Sequence, residues 1–319
     1  MDSVCNEALE KLNKGNIRII NKDDGDFPQK LKEIHNPPKR LYVRGNLDDS
    51  INLNNKNIAI VGSRNMSTYG KEIARMLARD LSKAGVNIIS GLAKGIDSQA
   101  HKGALEAGGY TIGVLGCGIN VTYPRENIEL YAEMEEKGCI ISEYGLDVKS
   151  FPGNFPMRNR IISALSDGVI VVEARKKSGS LITAEYALEQ GKQVYAVPGR
   201  AYDINSEGTN NLLKMGALCV TSADDVLWDL MGGEMCRNAN NFIDKEDDSK
   251  KKVNLLNNRV DMNDTEKMIY DFLDLEPKYI DDIIQKSGIG ITNTISTLYI
   301  MEEKNIIKQP IKGYYIISI

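Results

Sequence analysis

The chain has 319 residues, 42% hydrophobic and 26% charged, a balance that suits a globular protein large enough for two domains and able to bury a sizeable core. Its formal net charge of -4 excludes a global field that attracts polyanions, so any nucleic-acid binding must come from a local basic patch on an acidic body. No apolar run approaches the length of a membrane span, and the N-terminus MDSVCNEALEKLNKGN lacks the basic-then-apolar order of a signal peptide; a cytoplasmic protein is expected.

Residues 1–56 read as a short N-terminal extension packed on the core, with short strands at 17–20 and 41–46 around a proline-marked loop. From Asn57 to residue 231 strand and helix alternate regularly. Apolar runs at 58–61, 86–89, 110–115, 139–142, 169–173, 193–197 and 217–221 predict strands, most of them separated by helical segments such as 69–84. That is the pattern of an α/β fold with a Rossmann-like, doubly wound parallel sheet. Such sheets bind ligands beyond the carboxyl ends of their strands, and here those positions are rich in glycine: Gly62-Ser63-Arg64, Ser90-Gly91, Gly116-Cys117-Gly118, Lys177-Ser178-Gly179 and Pro198-Gly199. Several such turns on one edge predict a backbone-lined anion groove.

The densest stretch runs from Phe155 to Ala184. A buried strand, Gly168 to Glu173, is flanked by Arg158, Asn159 and Arg160 on one side and by Arg175, Lys176 and Lys177 on the other. Lys177-Ser178-Gly179-Ser180 then opens a helix containing Thr183, so its N–H groups fit an anion site, although an ordinary tight connection has the same composition.

Residues 232–262 lose all periodicity and read as a linker, whose Lys250-Lys251-Lys252 is solvated charge. Residues 263–319 predict three helices and a two-stranded ribbon, a small winged-helix domain. Its third helix offers Thr292, Asn293 and Ser296 and then Glu302-Glu303, and the domain sets six lysines against nine carboxylates. A net-negative module is a poor stand-alone DNA binder, so a protein-contact role fits it at least as well.

Other chemistry is sparse. Cys5, Cys117, Cys139, Cys219 and Cys236 are odd in number and form no CxxC pair, which argues against disulfides and zinc. Cys139 and Cys219 open apolar segments and read as core, and Cys117, between two glycines, is the one to test for reactivity. His101 reads as a structural histidine and Asp97 as a helix N-cap. Glu143 and Glu173 end two strands and are expected to orient the neighbouring cations by ion pairing. Phe151, Phe155, Tyr123, Tyr144 and Tyr202 lie near the strand-end loops as candidates for base stacking. No GxxxxGK[ST] and no GxGxxG occurs, which leaves no P-loop and no nicotinamide fingerprint.

Taken in order, GSR (62–64), SGLAKGIDSQAH (90–101), GVLGCGINVTYP (113–124), FPMRNRIISALS (155–166), VVEARKKSGSLITA (171–184), AVPG (196–199) and GTNN (208–211) resemble the DNA-processing protein A (DprA/Smf) family over nearly the whole chain. The resemblance implies a single-stranded DNA-binding protein, homodimeric, that protects incoming DNA and loads RecA in natural transformation and recombination, with no catalytic activity, cofactor or metal. Arg64, Arg158 and Lys177 would contact phosphates, and Ser63, Ser178, Gly179 and Ser180 would supply donors. Gly62, Lys94, Asn159, Arg160 and Thr183 complete the expected DNA-binding set. The homodimer contact is expected near 210–215 or 224–230. Two departures stand out: at most a turn or two of helix (5–12) stands where many members carry a helical domain, and Lys94 replaces a common arginine, which keeps the charge but loses a bidentate contact. The competing class is a phosphoribohydrolase-type hydrolase, for which SGSLITAE offers Glu185 but lacks paired glycines.

Overall fold

The computed structural model describes residues 17–47, 55–230 and 262–318. The expected helical stretch at 5–12 lies outside the described residues, as does the expected linker except for Met262. The chain divides into two compact units, Met1–Leu230 and Met231–Ile319.

The first unit is built on a nine-stranded sheet. Its strands are β1 (Arg18–Asn21), β2 (Arg40–Gly45), β3 (Asn57–Val61), β4 (Asn87–Ser90), β5 (Thr111–Leu115), β6 (Cys139–Ser142), β7 (Gly168–Val171), β8 (Gln193–Ala196) and β9 (Leu218–Cys219), in the order β1-β2-β6-β5-β4-β3-β7-β8-β9. Neighbours from β6 through to β9 pair in parallel. The first two strands join one edge antiparallel, β2 pairing with β6 from Tyr42 opposite Ser142. Sequences such as NIAIV and GVIV are buried at every position. Burial on both faces explains why these runs are continuous rather than alternating.

Helices α1 (Gln29–Lys32), α2 (Thr68–Lys83), α3 (Ile96–Glu106), α4 (Ile128–Lys137), α5 (Asn154–Leu165), α6 (Gly179–Glu189), α7 (Glu207–Lys214) and α8 (Ala223–Leu230) cover the sheet. Leu77 of α2, Ala100 and Ala104 of α3 and Val226 of α8 pack with Ile60 and Tyr195 in one apolar layer. Ile161 and Leu165 of α5 and Ala184 and Ala187 of α6 pack with Val61 and Val114 in the other. Each large aliphatic side chain fully removed from water contributes about 1.5–3 kcal/mol. Strand order runs outward from β3 to β6 in one direction and from β7 to β9 in the other. The reversal between β3 and β7 is the point at which doubly wound sheets open a crevice at their carboxyl edge.

Two residue readings change. Cys139 is buried, but Cys219 is exposed, because β9 is a two-residue edge strand with both positions open. Asp97 is not the N-cap of α3: Gly95 is, and Asp97 lies buried in the first turn.

In the second unit, α9 (Asp264–Tyr270), α10 (Ile280–Ser287) and α11 (Ile291–Glu303) accompany β10 (Lys278–Tyr279), β11 (Ile307–Ile311) and β12 (Tyr314–Ile317). The expected ribbon has a third member, since the antiparallel order is β10-β12-β11. Asn263 and Glu266 form a reciprocal capping box at α9, which satisfies two otherwise orphaned N–H groups. Ile269, Ile283, Leu298, Met301 and Ile307 make its core. Among the described residues no helix is long and apolar enough to cross a membrane.

Candidate functional site

A concavity of about 400 Å³ opens where β3 and β7 end, lined by Gly62, Ser63, Arg64, Asn65, Ala93, Asp97, Phe155, Arg158, Asn159, Arg175, Lys177, Ser178, Gly179, Ser180 and Thr183 among others. The turn after β3 is held by its own serine: Ser63 Oγ accepts the Asn65 N–H at 3.2 Å. The Ser63 carbonyl accepts the Ile96 N–H at 3.1 Å. Gly95, at φ +89°, lets the β4 loop approach this turn, since a Cβ there would collide with the backbone oxygens of Ser63 and Arg64. Across the cleft, Ser178 caps α6, its Oγ accepting the Ser180 N–H at 3.4 Å and lying 2.7 Å from Ser180 Oγ. Asn159 Nδ2 donates to the Gly179 carbonyl at 3.2 Å and so fastens α5 to the turn.

Arg158 forms the floor. It is 3% exposed, and its Nη1 donates to the carbonyls of Gly91, at 2.7 Å, and Val114. A Cβ at Gly91 would stand 2.6 Å from both Arg158 Nη2 and Asp97 Oδ2 and would push them from their places. Burial pushes the Asp97 carboxyl pKa up, while Arg158 and backbone hydrogen bonds from Ala93 and Gly91 pull it back. Burial likewise lowers the pKa of Arg158, opposed by the Asp97 charge. Arg158 thus acts as a fixed positive charge beneath the cleft, with Asp97 as its counter-ion.

Arg160 does not share this concavity. Two residues along a helix are about 200° apart, so Arg160 leaves α5 on the side opposite Arg158. There it pairs with Glu143 at 2.5 Å and lines a second concavity with Lys30, Glu189 and Lys192. Glu143 therefore orients a cation as expected, whereas Glu173 does not. Its carboxylate accepts from the N–H of Ser67, at 2.9 Å, and from the Ser67 hydroxyl, which caps α2. Lys94 is exposed and lies outside the lining.

Phe155 lies inside the cleft, with the Arg64 guanidinium 5.0 Å above its ring and Tyr123 5.7 Å away, a cation–π arrangement that holds an exposed arginine in place. His101 is sealed against Thr111, burial pushing its pKa down to about 3. Burial raises the Cys117 thiol to about 11. Glu185 is exposed on α6 and is not among the lining residues. Among the described residues no group of three or more His, Cys, Asp or Glu could hold a metal.

What remains is an oxyanion surface: exposed Arg64, Arg175 and Lys177, the capped N-terminus of α6, and one carboxylate compensated from below. Sequence reasoning missed the Asp97 counter-ion, because burial is not visible along the chain. It also missed Asn205, which accepts from Arg175 Nε and donates to the Asn65 carbonyl, each at 3.2 Å. An Asn 140 positions from its partner leaves no local signal.

The sequence profile of the DNA recombination-mediator protein A family matches residues 18–231. DNA processing protein DprA of Bacillus subtilis is 43% identical over 223 residues, covering 70% of this chain and 74% of that protein. Protein Smf of Escherichia coli is 44% identical over 223 residues, 70% of this chain and 59% of its own length. Among solved structures, DNA processing protein A from Streptococcus pneumoniae matches with a TM-score of 0.64 at 41% identity, covering 68% of this chain and 76% of that one. The Helicobacter pylori protein, described for its single-stranded DNA binding mode, matches with a TM-score of 0.61 at 33% identity, covering 68% and 96%.

Proposed function

The chain belongs to the DNA recombination-mediator protein A family, and from that premise we propose that it is a cytoplasmic single-stranded DNA-binding protein whose cleft at the β3/β7 reversal holds the sugar-phosphate backbone. One observation carries the reading. Three exposed cations and a capped helix N-terminus converge on one concavity, and its one lining carboxylate among the described residues is offset by Arg158. Such a surface neutralises phosphates and reads no base edge, so it suits a strand of any sequence. The expected DNA-binding set is revised accordingly. Gly62, Ser63, Arg64, Lys177, Ser178, Gly179, Ser180 and Thr183 line the backbone path, Arg175 and Asn65 join them, Arg158 and Asn159 support it, and Lys94 flanks it. Arg160 is assigned a packing role.

The wider reading is that binding protects incoming DNA and presents it to RecA in transformation and recombination, by a homodimer and without catalysis. The small unit is proposed as a winged helix serving protein contact. Its α11 shows solvent Ile291, Ile295 and Tyr299 rather than arginine or lysine, which supports protein over DNA as its partner.

The test is fluorescence anisotropy of a labelled single-stranded oligonucleotide with wild type and Arg64→Ala/Lys177→Ala, with duplex as competitor. Salt-sensitive binding by wild type, strongly weakened in the double variant and resistant to duplex, is expected. Equal binding by both proteins, or none by wild type, sinks the cleft assignment.

A further inference from the structure

A fully exposed tyrosine on a loop that is tightly held in place needs a reason. Tyr202 is 101% exposed, yet the segment carrying it is stitched at both ends. Asn210 accepts the Gly199 N–H at 3.2 Å and donates to the Gly199 carbonyl at 3.1 Å. The Asn205 carbonyl accepts the Ala174 N–H at 2.7 Å, and the Asn205 side chain ties Asn65 to Arg175 across the cleft rim. Between these anchors Asp203 N–H donates to the Arg200 carbonyl and Ser206 N–H to that of Asp203, so the backbone beneath Tyr202 is turned and bonded. Leaving a large aromatic in water forgoes burial energy, and here the backbone that displays it is fixed.

Its place along the sheet edge supplies the reason. Phe155 rests against Gly116, just beyond β5, where a Cβ would stand 2.9 Å from its ring. The cations Arg64 and Arg175 follow β3 and β7, and Tyr202 follows β8. In the strand order β5-β4-β3-β7-β8 Phe155, inside the cleft beside Arg64, thus lies toward β5, and the Tyr202 loop follows β8 on the other side of the cations. From β5 to β8 is four inter-strand steps, about 19 Å at about 4.8 Å each, so the sheet edge itself spans about six nucleotides stacked ~3.4 Å apart.

We infer that Tyr202 is a stacking platform for a base of the bound strand, marking where that strand leaves the cleft on the β8 side. The inference rests on the single-strand reading above. It assigns the bases a contact beyond the phosphate surface and gives the strand a direction across the sheet edge. Base–aromatic stacking is indifferent to sequence because every base has a π-face, so this contact adds affinity without adding specificity.

The experiment compares wild type, Tyr202→Ala, Tyr202→Phe and Arg64→Ala/Lys177→Ala on two probes of equal length, a labelled poly-thymidine oligonucleotide and an abasic deoxyribose-phosphate oligomer, across a salt series, with sedimentation velocity on each protein. Tyr202→Ala should weaken poly-thymidine binding about thirtyfold, a central value for one lost stack. It should leave the salt slope and the sedimentation coefficient unchanged and match wild type on the abasic probe, while Tyr202→Phe binds as wild type. Wild-type binding by Tyr202→Ala on poly-thymidine overturns the inference, as does an equal loss on both probes or a change in self-association, which would make the tyrosine a contact between copies. If the Arg64/Lys177 variant still loses binding in those cases, the cleft reading survives alone. If wild type binds neither probe, the cleft reading fails first.

Discussion

Burial acts on the charge of His101 and of Arg158, and each makes a separable prediction. Thr111 Oγ1 gives its hydrogen to the Ile88 carbonyl at 2.8 Å, so it must accept from His101 Nδ1 at 2.7 Å. This fixes the Nδ1–H tautomer and buries a bare Nε2 that has no partner among the described residues. Desolvation, with a smaller push from Arg158, takes the imidazole pKa from 6.5 to about 3. The unfolded chain then binds one more proton between those two values. The stability His101 contributes is complete above about pH 6.5 and is lost as pH falls, by up to about 1.4 kcal/mol per pH unit. Buried Asp97 and Glu173 act in the opposite sense, since burial raises their pKa values. The difference between wild type and His101→Asn in urea unfolding at pH 4 to 7 isolates the imidazole, and parallel curves over that range would refute the assignment. Arg158 gives the second contrast. Arg158→Ala strands a buried Asp97 and two carbonyls and should cost about 3–5 kcal/mol. Arg64→Ala, at an exposed position, should stay within about 0.5 kcal/mol of wild type while still weakening oligonucleotide binding. Equal stability losses would mean that floor and rim have been confused.

At the scale of the element, helix α2 shows how a cap can be built from a distant strand. Ser67 Oγ accepts the Gly70 N–H at 3.0 Å, and Glu173, 106 residues away, grips the same serine through its N–H and its hydroxyl. A Cβ on Gly70 would clash with that carboxylate, so the glycine is what lets the two meet. Ser67→Ala removes the cap, worth about 1 kcal/mol, and takes a hydroxyl donor from the Glu173 carboxylate, worth about 1 kcal/mol more. A loss near 2 kcal/mol in chemical denaturation is expected. A loss no larger than that of an ordinary cap would show that water replaces the serine hydroxyl. The same elements show what a one-dimensional reading can reach. The strands were legible because β-branched runs buried on both faces are continuous, and the cleft was legible because glycine-rich turns follow them. Arg158 and Arg160 read as one group because neighbours in sequence look equivalent until helical phase divides them. Glu173 reads as a partner of the cations because Ser67, which it bonds, is remote in sequence. β9 reads longer in sequence than its two residues because the apolar pattern of 217–221 continues past the end of its pairing with β8.

For the whole molecule the question is how a chain of net charge -4 would hold the polyanion proposed for it. No long-range attraction helps, so affinity must come from the few phosphates that Arg64, Arg175 and Lys177 can neutralise, and each phosphate on a single strand contributes about -0.7 to the slope of log K against log salt. Three contacts predict a slope of about -2, and removing two of them in Arg64→Ala/Lys177→Ala predicts about -0.7. A protein with a broad basic face gives a far steeper line. The second unit opposes rather than assists: its described residues carry six lysines and nine carboxylates, and Glu266, the most deeply buried of those acids, is already bonded to Lys304 at 2.7 Å. A chain ending after Leu230 should therefore keep the wild-type slope, since it loses no phosphate contact. Anisotropy titrations at four salt concentrations on the full chain, the double variant and the shortened chain decide the matter. If the shortened chain gives the flatter line, the small acidic unit touches the backbone through a local lysine cluster, and the cleft is only part of the interface.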